Sequence, residues 1–158
     1  MQEPRADFLF VLILGILSML TPLAIDMYLP AFLNIANDFS VSQEKIQTTL
    51  ALFTFGFAFG QLFWGPLSDS YGRKPIILIG IITSALVSLA ITQIHHIHHF
   101  YILRFVQGFF GASPAVVTGA LLRDLFAKNE FARQMSMIMI VTMIAPLIAP
   151  VLGGHLTD

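Results

Sequence analysis

Two ionisable side chains, Asp26 and Arg104, stand inside stretches that are otherwise apolar. If those stretches cross a bilayer, each charge costs at least a few kcal/mol to bury there, and such residues mark functional sites by default. Burial and a neighbouring guanidinium act on a carboxyl group in opposite senses. A carboxylate balanced between the two can load and release a proton. The alternative is an Asp26 that lies at the interface and is simply solvated.

A second constellation is the run Gly65-Pro66-Leu67-Ser68-Asp69-Ser70-Tyr71-Gly72-Arg73-Lys74-Pro75. Pro66 and Gly72 are expected to break helix and give a tight turn. Within it Asp69 can pair with Arg73 or cap a helix N-terminus. On composition alone the run is also compatible with an ordinary basic hairpin. A third run, His95-His96-Ile97-His98-His99, offers four imidazoles within five residues, a set that could bind zinc or copper. It falls in a short loop, where His is more simply a polar turn residue, so no metal site is assigned.

Other chemistries lack their residues. Cysteine is absent, which removes disulfides, thiolate zinc sites and thiol nucleophiles. No nucleophile constellation is visible, and no glycine-rich phosphate loop is present to serve an ATP-driven pump. The chain is therefore not read as an enzyme, and no cofactor is called for. The balance of 8 Lys and Arg against 9 Asp and Glu gives no basic excess for nucleic acid.

The elements that must hold these residues follow from hydropathy. The chain is 158 residues long, 56% hydrophobic and 11% charged, against about 25% charged for a soluble domain. Five segments approach the roughly 20 apolar residues that a bilayer-crossing helix needs. They run from about Phe8 to Leu29, Ile46 to Trp64, Pro75 to Gln93, Phe100 to Leu122 and Gln134 to Leu156. All are apolar around most of their circumference, and none alternates as a barrel strand would. Asp26 then lies late in a span that runs outward, and Arg104 early in one that runs inward. Both fall in the outer half of the membrane, and the geometry allows an ion pair or a shared water-filled cavity.

Orientation follows from the basic residues. Arg5, Arg73, Lys74, Arg123, Lys128 and Arg133 fall on one side, Lys45 alone lies in a loop on the other, and Arg104 is inside a span. By the positive-inside rule the N-terminus is cytoplasmic, as are the segments near Ser68–Lys74 and Arg123–Arg133. The segments Ala31–Lys45 and His95–His99 face outward. Small residues recur every fourth position at Gly56 and Gly60, at Gly111, Ala115 and Gly119, and at Ala145, Ala149 and Gly153. Such stripes let membrane helices approach closely. Pro114, Pro146 and Pro150 interrupt the backbone ladder, as static kinks or as bends beside a site.

The run at 65–74 resembles the signature loop of the major facilitator superfamily, Gly-x-Leu-x-Asp-x-x-Gly-Arg-Lys, at Gly65, Leu67, Asp69, Gly72, Arg73 and Lys74. The resemblance implies a cytoplasmic gating loop whose acid meets the C-terminal half and whose Arg73 pairs with an acid near the end of span four, here Asp124. Leu103–Ala112 resembles the fourth-span motif, whose Arg is implicated in proton transfer. Ala145–Gly154 resembles the fifth-span antiporter motif at Pro146, Pro150, Gly153 and Gly154, with Ala149 where Gly is usual. That motif is associated with export. Thr21–Ala31 resembles the first span of the Bcr/CflA group, the bicyclomycin- and chloramphenicol-type resistance exporters.

The resemblance implies an all-α, polytopic transmembrane bundle, five spans of a major-facilitator N-terminal six-helix half. It implies a proton-coupled exporter of small hydrophobic drug-like compounds in a bacterial inner membrane, with Asp26 and Arg104 as coupling residues. A machine of paired repeats needs more helices, so residues 1–158 are read as an incomplete N-terminal domain whose C-terminal half is missing. An importer of the same superfamily and a non-transporting remnant are the alternatives.

Overall fold

The computed structural model describes residues 8–157, so Arg5 of the charge argument lies outside the described residues. Helices α1 (Phe8–Asp26), α3 (Gln43–Tyr71), α4 (Arg73–Ile91) and α5 (Ile97–Leu125) supply four spans. Helices α6 (Lys128–Thr142) and α7 (Ile144–Thr157) together make the fifth, and the short α2 (Phe32–Asp38) sits between α1 and α3. Five helical stretches are long and apolar enough to cross a membrane.

Three features differ from expectation. Pro66 does not break its helix: α3 runs through it for 29 residues to Tyr71. The Ser68 hydroxyl donates to the carbonyl of Gly65 at 2.8 Å, and that of Ser70 to the carbonyl of Pro66 at 3.1 Å. The turn between spans two and three is therefore Gly72 alone, at φ 92° and ψ 155°. At 1.5 Å per residue α3 is ~43 Å long, well beyond the ~30 Å hydrocarbon core.

The segment Ala31–Lys45, expected as an outward loop, is not a plain loop. It contains α2, and Lys45 belongs to the first turn of α3. Phe32, Ile35, Ala36 and Phe39 recur at helical spacing and pack on Tyr28, Ile46 and Phe100. The third difference is among the expected proline interruptions: only Pro146 comes with a break, at Met143 in the fifth span, while Pro114 and Pro150 lie inside α5 and α7. Pro146 has no N–H to offer the carbonyl of Thr142, so the ladder is interrupted one turn before the proline.

Helix α5 is the hub and the most buried of the spans. Its most extensive partner is α3. There Gly56 lies against the carbonyl of Phe105, Gly60 against that of Phe109, and Gly108 against that of Phe53. No Cβ fits at any of the three. On another side α4 meets α5 at Gly80 and Ser113, and the Ser113 hydroxyl donates to the carbonyl of Ile76 at 2.8 Å. The Thr21 hydroxyl ties α1 to the carbonyl of Gly111 at 3.0 Å. Val11, Leu14, Leu122 and Ile138 close the contact among α1, α5 and α6. The outer surface is apolar, with Phe8, Leu62, Leu89 and Leu147 largely exposed, as lipid-facing helices require.

Candidate functional site

Arg104 is buried, 6% exposed, about two turns into α5 near the end of the bundle that carries α2. Its guanidinium carbon lies 3.6 Å from the centroid of the Tyr28 ring, 5.3 Å from that of Phe100 and 5.9 Å from that of Phe53. Arginine suits such a place because its planar cation is weakly hydrated and stacks on aromatic faces. One terminal N–H donates to the Gln107 side-chain carbonyl at 3.1 Å. Gln107 in turn donates to the Ser88 hydroxyl at 2.7 Å, which carries the polar chain from α5 to α4. The Nε–H of Arg104 has no hydrogen-bond partner.

Of the arrangements the sequence allowed for Asp26 and Arg104, the ion pair is not formed. Asp26 is the last residue of α1 and is half-buried. The ion pairs among the described residues are two, and both belong to Arg73. Arg104 is met by aromatic rings instead of a carboxylate. The reason lies in the chain's path: the turn after Asp26 brings Tyr28, two residues on, to the guanidinium.

Gln107 and Ser88 also line a cavity of about 210 Å³ among α1, α4 and α5, together with Thr21, Ser84, Gly111 and Pro114. It is a partly polar recess at span depth, and it adjoins the Arg104 network through Gln107.

The second site lies at the opposite, basic end. Arg73, the first residue of α4, bonds Asp124 of α5 through Nε at 3.0 Å and Nη2 at 2.8 Å. Its Nη1 meets Asp69 of α3 at 2.5 Å and the Ser68 hydroxyl at 2.5 Å. One guanidinium thus joins three helices. Asp69 pairs with Arg73 rather than capping α4, whose N-cap residue Gly72 has no side chain to offer. Lys74 is exposed and makes no ion pair among the described residues. Gly65, Asp69, Arg73, Arg123 and Asp124 line a cavity of about 390 Å³ beside this junction.

The fifth-span residues divide by face. Ala145 and Ala149 are fully buried, and Gly153 lies with its Cα against Met27, where a Cβ would come within 2.5 Å of the carbonyl. Pro146 and Pro150 point outward on the other face of α7. The Ala149 that replaces the usual glycine is accommodated in a fully buried position. Gly154 has open space around its Cα. The histidines at 95–99 do not converge: His96 and His99 rings meet edge-on at 5.8 Å, and among the described residues no three His, Asp or Glu gather around a point.

Sequence reasoning missed Tyr28, Thr49, Ser68 and Gln107 as partners. Tyr28 and Gln107 carried a usable signal: a polar side chain within a turn of an intramembrane charge is a candidate partner.

Residues 14–158 match the Major Facilitator Superfamily. The chain is similar to a bicyclomycin resistance protein homolog of Haemophilus influenzae, 57% identical over 99% of this chain and 39% of that protein. It is similar to the multidrug resistance protein MdtL of Klebsiella pneumoniae, 37% identical over 91% of this chain and 37% of that protein. The chloramphenicol resistance protein CraA of Acinetobacter baumannii is 32% identical over 98% of this chain and 37% of that protein. The resemblance to bicyclomycin- and chloramphenicol-resistance proteins is thus borne out, and the chain spans under two fifths of the length of these relatives. An α-helical bundle with five lipid-compatible spans, an arginine-clamped junction after the second and a broken fifth is a multi-pass membrane protein, and this one belongs to the Major Facilitator Superfamily.

Proposed function

We propose that this chain forms the N-terminal part of a proton-coupled exporter of small hydrophobic drug-like compounds. The observation that carries the proposal is Arg104: a guanidinium buried at span depth, without a carboxylate partner and with its Nε–H unused. A charge kept so is costly unless it works on something that passes. The names of the relatives, resistance proteins for bicyclomycin, chloramphenicol and multiple drugs, supply the substrate class.

In this reading Asp26, half-buried and free of any ion pair, takes up and releases the coupling proton. Arg104 sets the field in which it does so. The junction of Gly65, Asp69, Gly72, Arg73 and Lys74 with Asp124 acts as the cytoplasmic gate against a C-terminal half supplied by further chain. Pro146, Ala149, Pro150, Gly153 and Gly154 shape a fifth span suited to export. The N-terminus faces the cytoplasm of a bacterial inner membrane, and the reading calls for no enzymatic step.

The test is Asp26→Asn in a full-length transporter whose first 158 residues are this chain. Export of a fluorescent dye from energised vesicles is expected to stop while membrane insertion persists. Unchanged dye export would remove Asp26 from the mechanism. Export that survives collapse of the proton gradient would remove antiport altogether.

A further inference from the structure

We infer that Tyr28 is the positioning residue for Arg104, its ring holding the cation where a counter-ion would otherwise stand. This rests on the reading of Arg104 as a coupling residue and says how that residue is held. The groups that face the guanidinium come from three elements. Helix α5 supplies Gln107 and Phe100, α3 supplies Phe53, and the turn after α1 supplies Tyr28. None of the four is a carboxylate. Tyr28 is by far the nearest ring, at 3.6 Å.

Tyr28 is itself fixed. It is buried, and its hydroxyl shares a 2.6 Å hydrogen bond with Thr49 of α3. The Thr49 hydroxyl in turn lies 2.6 Å from the carbonyl of Ile46. Phe32 and Phe100 pack edge-on against the Tyr28 ring, with centroids at 4.8 and 6.1 Å. The ring is thus held from α2, α3 and α5 at once, and its face is presented to Arg104.

The arrangement has a chemical consequence. A carboxylate partner would neutralise Arg104 and occupy its N–H groups. A ring face attracts the cation through its quadrupole and does not neutralise it. The positive charge stays in place, and the Nε–H stays free to meet an acceptor. Tyr28 also stands two residues from Asp26, so a shift of the turn that carries Asp26 moves the ring against Arg104. The two expected coupling residues are then linked through Tyr28 rather than by direct contact.

The experiment changes the electrons of the ring and leaves its shape. Phenylalanines bearing one, two and three fluorines are placed at position 28 of the full-length transporter by nonsense suppression. Fluorine withdraws density from the ring face and weakens cation binding stepwise. With Tyr28→Phe as the reference, export is expected to fall stepwise to about tenfold lower at the third fluorine, with the pH profile displaced. A flat series overturns the inference, because a ring that only packs is indifferent to fluorination. In the full-length transporter in nanodiscs, Tyr28→Phe is expected to keep the ring-current displacement of the Arg104 guanidinium NMR signal, and Tyr28→Leu to cut it to the smaller part left by the more distant Phe53 and Phe100 rings. A displacement left unchanged by Tyr28→Leu also overturns the inference. Should Arg104→Lys leave export unchanged, the coupling role of Arg104 fails, and the NMR displacement still decides where the guanidinium lies.

Discussion

Gly72 shows how much can hang on one residue. It is the whole connection between α3 and α4, and its φ of 92° with ψ of 155° falls in a region that is essentially open to glycine alone. Gly72→Ala is expected to lower the stability of the chain by about 1–3 kcal/mol, read from the midpoint of an SDS titration. Gly65→Ala serves as the control, since its Cβ would meet only Val116, at 3.8 Å. The neighbouring Arg73 is a different case. It makes a close fork to Asp124, yet its side chain is 21% exposed and that of Asp124 is 53% exposed. Ion pairs so placed contribute about 0–1 kcal/mol. A double-mutant cycle of Arg73→Ala and Asp124→Ala in the isolated chain is expected to give a coupling energy below about 1 kcal/mol. The same pair in the full-length transporter is expected to matter more to export than to melting, as a gate contact should. The Arg73–Asp69 contact was legible because the two residues lie four apart, and Asp124 because a resemblance named its place. Ser68 and Tyr28 were not, since nothing local says which distant cation a hydroxyl or a ring will meet.

Among the helices, the closest approach is between α3 and α5, where backbone lies on backbone. Glycine at 56, 60 and 108 makes this seam, and each position faces a carbonyl of the opposite helix. Gly56→Ala and Gly108→Ala are each expected to cost about 1–3 kcal/mol through forced separation of the helices, measured by unfolding in mixed micelles. Gly111→Ala, with its nearest neighbour at 3.8 Å, is expected to be silent. Periodicity revealed Gly56 and Gly60, because a stripe is a property of one helix. It pointed on α5 to Gly111, Ala115 and Gly119, whereas Gly108 and Ala112 meet the α3 stripe. Which stripe faces which partner depends on helix rotation, and one helix read alone does not contain that. The spans themselves were legible because hydropathy reports the solvent around a helix. Their ends were not: Pro66 and Ser70 look like a turn, yet α3 runs through both to Tyr71.

The whole molecule has two unlike ends joined by an apolar waist. At one end α2, Tyr28 and Phe100 form a small aromatic cap over Arg104, and Lys45 lies in the first turn of α3. At the other, Arg73, Lys74, Arg123, Lys128 and Arg133 crowd around the start of α4 and the break between α5 and α6. Basic segments are generally retained on the cytoplasmic side, so this asymmetry predicts that the basic end faces inward. The chain has no cysteine, and single-cysteine reporters can therefore be placed without background. Gln93→Cys and Lys45→Cys, at exposed positions of the first end, are expected to react with a membrane-impermeant maleimide in right-side-out vesicles. Tyr71→Cys and Asn129→Cys, exposed at the basic end, are expected to react only after permeabilisation. The reverse pattern would mean that the bundle sits the other way up, and the assignment of Asp69, Arg73 and Asp124 to a cytoplasmic gate would fall with it. Equal labelling of all four would mean a chain that is not held in one orientation, as would follow if this bundle needs further helices to settle in the bilayer.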